Sequence, residues 1–310
     1  MSRADNVPTY TMRQLAAFVA VAETGTISAA AERMHLSQSA LAAAVTDLER
    51  ALKVQLTVRK RARGVALTST GEVVLTRAKA LLYQAGELQG VAEGEGGGVA
   101  GPLVVGCHPA LGPTLLPSLL HDFTQRYPRA KVALREDTQN RLRRRLDDGE
   151  LDVVIVYDLD LSPEWRTVML TTRVPTVSLA PDHRLARVNG PVRLADLAAD
   201  PMVLLDAPPS AEHALEVCAR AGFVPKVAYR TQSYETARAF VGRGLGWSLL
   251  VPRPRLDVTY EGLAVVVKAL AEPPAPIGVV AAWHQDSMPS RVARAFVQFA
   301  STPKPPAPSR

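Results

Sequence analysis

Two alanine-rich helical runs separated by two residues constrain this chain more than any other feature of its sequence. The first, Ser28 to Met34, opens at a hydroxyl suited to capping a helix. The second opens at Ser37 and carries Leu41, Val45, Leu48 and Leu52 on one apolar stripe, which leaves Gln38, Ser39, Ala42, Ala43 and Thr46 on the other faces. Only His35 and Leu36 lie between the runs, so the helices must turn sharply against each other. Such a pair lets its second helix enter a DNA major groove while the first crosses the backbone. The plain alternative is a helical hairpin with a solvated turn.

Charge favours the nucleic-acid reading. From Arg33 to Arg63 there are seven basic residues against two acidic ones. Val54-Gln55-Leu56 and Val65-Ala66-Leu67 read as two small strands, with Arg59, Lys60, Arg61 and Arg63 in the loop between them. A basic hairpin beside a recognition helix is a wing, placed to grip phosphate or enter a minor groove. The chain as a whole carries a net charge of +6, which suits an anionic partner without specifying one.

The segments AFVAVAE in the first helix (about Thr11 to Glu23), AAERMHLSQSAL across the turn, DLERAL, and GVALTSTG after the wing resemble the amino-terminal domain of LysR-type transcriptional regulators, densely from Met12 to Glu72. The resemblance implies an all-α winged helix-turn-helix over residues 10–68 that binds double-stranded promoter DNA. Its implied DNA contacts are Thr26, Ser28, Arg33, Ser37, Gln38, Ser39, Ala42, Ala43, Thr46, Arg59, Lys60, Arg61 and Arg63. The sequence departs from the family where proline is common at the Ser39 position and polar or basic side chains are common around Ala42 to Ala44, and its wing is one residue longer than usual. Alanine cannot hydrogen-bond a base edge, so polar readout concentrates on Gln38, with Ser39 and Thr46 as lesser contributors.

After Thr68 a helix carries Val74, Ala78, Leu81, Ala85 and Leu88 at coiled-coil spacing. The spacing alone allows packing on its own domain. In LysR-like regulators this helix pairs two subunits, so the resemblance implies a homodimer, and a homotetramer built on it. Gly86 marks where pairing would end. Gly90 to Gly101 holds six glycines and reads as a hinge without helix or strand, which closes a linker over residues 69–101.

Beyond the hinge, short apolar strands alternate with helices: LVVG, AKVALRE and LDVVIVY, then TVSLA, MVLLD, KVAYR, WSLLV, LAVVVKAL and IGVVAAW. The pattern predicts α/β units, and a hydrophobic content of 47% is ample for their cores. GELDVVIVYDLD and RGLGWSLLVP again resemble family segments. The implied architecture over 102–302 is a two-subdomain effector-binding domain of the periplasmic-binding-protein type, with one subdomain over 102–174 and 275–302 and the other over 175–271. Residues 303–310 read as a proline-rich disordered tail.

Candidate ligand contacts sit at strand ends and helix starts, where α/β sites gather. They are Cys107, His108 and Ala110 after the first strand, Thr138 after the second, Tyr157 and Asp158 ending the third, Ser210 opening one helix, and Ser233 and Tyr234 opening another. The resemblance places a small-molecule effector there, and a hydroxyl common in the family is absent at Ala110. Adjacent Cys107 and His108 are badly spaced for a nucleophile and base, and Cys107 with Cys218 forms no recognisable redox motif. Gly242 to Gly246 follows a helix instead of opening one, against a phosphate loop. The six histidines lack metal-ligand spacing, and Arg141, Arg143, Arg144 and Arg145 read as a solvated face.

The sequence therefore predicts a bacterial regulator with no catalytic residues, metal or cofactor, acting in the cytoplasm. Its partners would be promoter DNA, a second copy of itself, a small-molecule effector and RNA polymerase, without a membrane. An α/β enzyme would need a catalytic constellation, and none is visible. A transport receptor would need a signal peptide, and MSRADNVPTY has no apolar core.

Overall fold

The computed structural model describes residues 8–60, 64–92, 98–252, 254, 256–287 and 289–302. The chain divides into two compact units, Met1–Gly98 with Asp147–Glu150, and Val99–Leu146 with Leu151–Arg310.

In the first unit, α1 (Met12–Thr24) starts at a capping box between Thr11 and Gln14 and ends at Gly25, whose φ of 71° is left-handed. α2 (Ile27–Arg33) is capped by Thr26, which accepts from the Ala29 amide, so the helix starts one residue before Ser28. α3 (Gln38–Leu52) is capped by Ser37. Leu41, Val45 and Leu48 of α3 join Leu15, Phe18 and Val21 of α1 and Ala30 and Ala31 of α2 in one core. α1 lies among α2, α3 and the helix α4 (Ser69–Ala92), so its buried face is broader than a single stripe. Ala17, Ala20 and Val21 are buried, while Val19 and Ala22 are only half-buried.

The wing is an antiparallel hairpin of β1 (Thr57–Lys60) and β2 (Gly64–Leu67), three residues later in its first strand than the sequence suggests. The cause is Glu49 of α3. Its carboxylate accepts from the amides of Leu56 and Thr57, both at 2.8 Å, and from the Thr57 hydroxyl at 3.1 Å. Residues Val54–Leu56 are thereby folded back on the end of α3, with Leu56 buried, and cannot pair as a strand. Arg59 and Lys60 consequently belong to β1 and not to the loop, while Arg61 and Arg63 lie outside the described residues. Two glycines permit close approach here. A Cβ at Gly64 would stand 2.3 Å from the Gly25 carbonyl oxygen, and one at Gly71 would stand 2.1 Å from that of Leu56.

α4 continues through Gly86 and Gly90, so helix replaces part of the expected hinge, and strand resumes at Gly101. The expected seam along α4 also divides. Ala78 is 1% exposed and packs, with half-buried Val74, Leu75 and Leu82, on the core of its own unit. Leu81 is 36% exposed and Ala85 half-buried, while the side chain of Leu88 lies outside the described residues. Ala78 therefore faces inward and is closed to a partner.

The second unit contains two lobes. In the first, β3 (Gly101–Cys107), β4 (Ala130–Glu136), β5 (Val153–Tyr157), β6 (Trp165–Arg173) and β12 (Ile277–His284) form a sheet of order β4-β3-β5-β12-β6. β3 runs parallel to β4 and β5, and β12 antiparallel to β5 and β6. β5 is buried on both faces. Val153, Ile155 and Tyr157 meet α5 (Gly112–Arg126) and the closing helix α9 (Arg291–Ser301), while Val154 and Val156 meet α6 (Gln139–Asp147). β6 escapes the sequence reading because its apolar run, Val168-Met169-Leu170, is flanked on both sides by polar residues.

In the second lobe, β8 (Pro201–Leu205) and β9 (Lys226–Thr231) are parallel, and β10 (Ser248–Leu250) and β11 (Val266–Lys268) flank β7 (Thr176–Leu179) antiparallel. A bridge from Met202 to Trp247 links these two sheets, and α7 (Ser210–Arg220) and α8 (Tyr234–Gly242) cover them. The chain crosses between the lobes twice, between β6 and β7 and between β11 and β12.

Phe123 sits fully buried among Phe296, Phe299 and Tyr127, with ring centroids 5.0 to 5.6 Å away. Phe123→Ala should destabilise this unit by about 3–5 kcal/mol, read as a lower urea midpoint with the amino-terminal unit still folded.

Candidate functional site

Two surfaces concentrate the candidate residues. On α3, Ser37, Gln38, Ser39, Ala43 and Thr46 are exposed and Ala42 is half-buried, because Leu41, Val45 and Leu48 turn the opposite side into the core. Gln38 Nε2 lies 3.4 Å from the Ser28 hydroxyl of α2, and the Ser37 and Ser39 hydroxyls are 3.1 Å apart. Thr26 and Ser37 use their hydroxyls as helix caps. Arg33 forms a 2.6 Å ion pair with Glu23, whose other oxygen meets Lys79 of α4 at 3.1 Å. Partial burial raises the pKa of Glu23, but its bonds to Arg33 and Lys79 outweigh that and hold it below the ordinary carboxylate value.

The second surface lies where the carboxyl end of β3 meets the loop after β8. His108 is fully buried; its Nε2 lies 3.2 Å from the Pro208 carbonyl, and its Nδ1 accepts from the Ala110 amide at 3.3 Å. With Nδ1 accepting, the proton resides on Nε2 and the imidazole is neutral. Burial lowers its pKa to about 4, against a smaller upward effect of the Pro208 carbonyl. The ring packs edge-on to Tyr157 at 5.2 Å. Ala110 forms an apolar cluster with Leu205, Ala207 and Leu250, against which Tyr234 packs. The Tyr234 hydroxyl donates to the Pro252 carbonyl at 2.6 Å.

Cys107, His108, Ala110, Tyr157 and Tyr234 are thus neighbours. Asp158 is committed elsewhere, accepting from the Gly278 amide at 2.8 Å to join β5 to β12. Ser233 caps α8, and Ser210 opens α7. Thr138 precedes α6, with its amide bonded to its neighbour Asp137. Ser210 joins the His108 group through its amide, which donates to the Ala207 carbonyl at 2.8 Å, while the bonds of Thr138 and Ser233 are to near neighbours in the chain. The carbonyl of Pro208 and the side chains of Leu205, Ala207 and Leu250 were missed, since a buried apolar strand end carries no sequence mark of its neighbours.

Cys107 belongs to the core of the first lobe and Cys218 to that of the second. Burial pushes the Cys107 thiol far up, aided by Glu136, and the Cys218 thiol up to about 11, which makes both poor thiolates. No group of three metal-binding side chains occurs among the described residues, and no described helix is long and apolar enough to cross a membrane.

The chain matches two family models, the bacterial regulatory helix-turn-helix protein of the lysR family over residues 12–72 and the LysR substrate binding domain over residues 96–302. It is 31% identical to the DNA-binding transcriptional dual regulator OxyR of Escherichia coli (strain K12) over 274 residues, 87% of this chain and 88% of that protein. Among solved structures, it is 69% identical to the C-terminal domain of a probable LysR family transcriptional regulator from Rhodococcus sp. RHA1, with a TM-score of 0.65, covering 66% of this chain and 100% of that one. It is 33% identical to HinK, a LysR family transcriptional regulator from Pseudomonas aeruginosa, with a TM-score of 0.63 over 94% of this chain and 98% of that one.

A buried neutral His108 carries a pH signature. Its folded pKa near 4 lies below the ordinary 6.5, so the stability linked to the neutral ring is complete above pH 6.5 and is lost as pH falls toward 4. The loss should be on the order of 3 kcal/mol. Thermal denaturation from pH 7 to 4.5 should show this slope, and His108→Gln should flatten it.

Proposed function

Because this chain belongs to the LysR family of DNA-binding transcriptional regulators with an effector-binding domain, we propose that it reads promoter DNA through the exposed start of α3 and senses its effector at the cleft around His108. The observation that carries the first part is the division of α3 into a core-locked stripe and an exposed polar row. Gln38 is the side chain there best able to make two hydrogen bonds to one base, while Ala42 and Ala43 offer only apolar contact. The wing adds phosphate contacts through Arg59, Lys60, Arg61 and Arg63, and Thr26, Ser28, Arg33, Ser37, Ser39 and Thr46 complete the surface.

For the second part, β3 and β8 are parallel strands whose carboxyl ends meet at the His108–Pro208 contact, where an α/β fold presents ligand sites. Cys107, His108, Ala110, Thr138, Tyr157, Asp158, Ser210, Ser233 and Tyr234 frame the proposed site, with Asp158 in a structural role. The division of function follows the boundaries 10–68, 69–101 and 102–302. The protein acts in the cytoplasm as a homodimer or homotetramer, by binding and not by turnover, and addresses RNA polymerase at the promoter.

Pairing along α4 rests on Leu81 and Ala85, with Leu88 further along the same helix, and no longer on inward-facing Ala78. Leu81→Glu should place like charges together at the seam, and sedimentation velocity should show loss of the dimer. Gln38→Ala should weaken binding to the specific promoter by about 1–3 kcal/mol while leaving scrambled duplex unchanged. Equal losses on both duplexes would remove Gln38 from base reading.

A further inference from the structure

The cleft has a chemical bias that narrows its ligand. Tyr157, the last residue of β5, is 1% exposed, and its hydroxyl has no hydrogen-bond partner among the described residues. A buried phenol without a partner is unfavourable, so its hydroxyl is a group waiting for one. It cannot turn to His108 for that bond, because both imidazole nitrogens already have partners. The apolar side chains of Ala110, Leu205, Ala207 and Leu250 lie beside this group.

The starts of α5 and α6, which follow β3 and β4, already carry carboxylates of the protein. At α5, the Leu111 and Gly112 amides bond the His108 carbonyl, the Thr114 and Leu115 amides bond that of Leu111, and Pro113 has no N–H. The Glu136 carboxylate lies over the same turn, with Oε1 2.2 Å from where a Cβ on Gly112 would stand. Asp137 accepts from the Thr138 amide just before α6. Glu212 and Glu235 stand in the first turns of α7 and α8. A helix start normally attracts anions through free amides and its dipole. Here Glu136 and Asp137 oppose that attraction at α5 and α6, while the charge of Glu235 at α8 is balanced by Arg238. Arg238, whose charge acts on Tyr234, is engaged by Glu235 at 2.7 Å and the carbonyls of Leu256 and Val258, and Arg173, whose charge acts on Tyr157, donates to the Thr171 hydroxyl and the Thr172 carbonyl.

We infer that the effector is an uncharged molecule that offers a hydrogen-bond acceptor to the Tyr157 hydroxyl and an apolar body to Ala110, Ala207 and Leu250. An anion would meet Glu136 and Asp137 at the starts of α5 and α6, and a cation would lose its hydration against apolar side chains. The inference rests on the reading of this cleft as the effector site.

The test uses the full-length protein and a fragment set built as amide and carboxylate pairs on the same ring, such as benzamide with benzoate and nicotinamide with nicotinate, followed by ligand-observed NMR. Ala110→Phe, which fills the cleft, identifies the fragments bound there. The expected result is binding of the amides only, weakened about tenfold by Tyr157→Phe, the loss of one hydrogen bond. Tyr157→Phe without ligand should melt at or above the wild-type temperature. Carboxylates binding in the cleft as tightly as amides would overturn the inference alone, as would a Tyr157→Phe protein that melts several degrees lower. If Ala110→Phe loses no fragment, the cleft is not the effector site, and the inference falls together with that reading.

Discussion

The contact between His108 and Pro208 is the constraint on which the sensing unit depends. One buried ring closes the end of β3 through the Ala110 amide and ties the first lobe to the loop after β8. Because both nitrogens are engaged, the tautomer, the ring orientation and the separation of the two lobes at that point are set together. Tyr157, Ala110 and Tyr234 then take positions around a fixed imidazole. A sensor needs its lobes free to move relative to each other, and a single hydrogen bond to a neutral ring is a light tether for that purpose.

The amino-terminal unit has a comparable device in Glu49. Its carboxylate folds the chain after α3 so tightly that the wing begins at a defined distance from the reading helix. Gly64 and Gly71 then allow the hairpin and α4 to pack directly on backbone carbonyls, where any side chain would force a gap. The exposed face of α3 proposed to read DNA is thereby held on a frame of fixed backbone contacts.

Much of this was readable in the residues. The stripe Leu41, Val45, Leu48 and the cap Ser37 gave α3 to the residue, because helix periodicity and capping are local. The continuous run in β5 was equally plain, since a strand buried on both faces needs apolar side chains throughout. The wing was misplaced by three residues because a side chain seven positions away decides where its strand begins. β6 was missed because its short apolar run, Val168-Met169-Leu170, sits among the polar residues of an edge strand. At the cleft, the strand-end residues were nameable, but the loss of Asp158 to Gly278 depends on a partner 120 residues distant. Likewise, helical spacing could not show that Ala78 faces α1, since both the inward and outward faces of α4 are apolar.

The shared carboxylate of Glu23 has a further consequence. Arg33 and Lys79 come from different helices, yet each already holds an internal counter-charge. A phosphate that approaches Arg33 must displace Glu23, so the protein exchanges one ion pair for another and fewer small cations leave the duplex. Under the proposed contacts, a tally of basic residues around α3 would then overstate the electrolyte sensitivity of DNA binding. The freed carboxylate would keep its bond to Lys79, so Glu23 stands between the proposed DNA surface and the helix proposed to join two subunits.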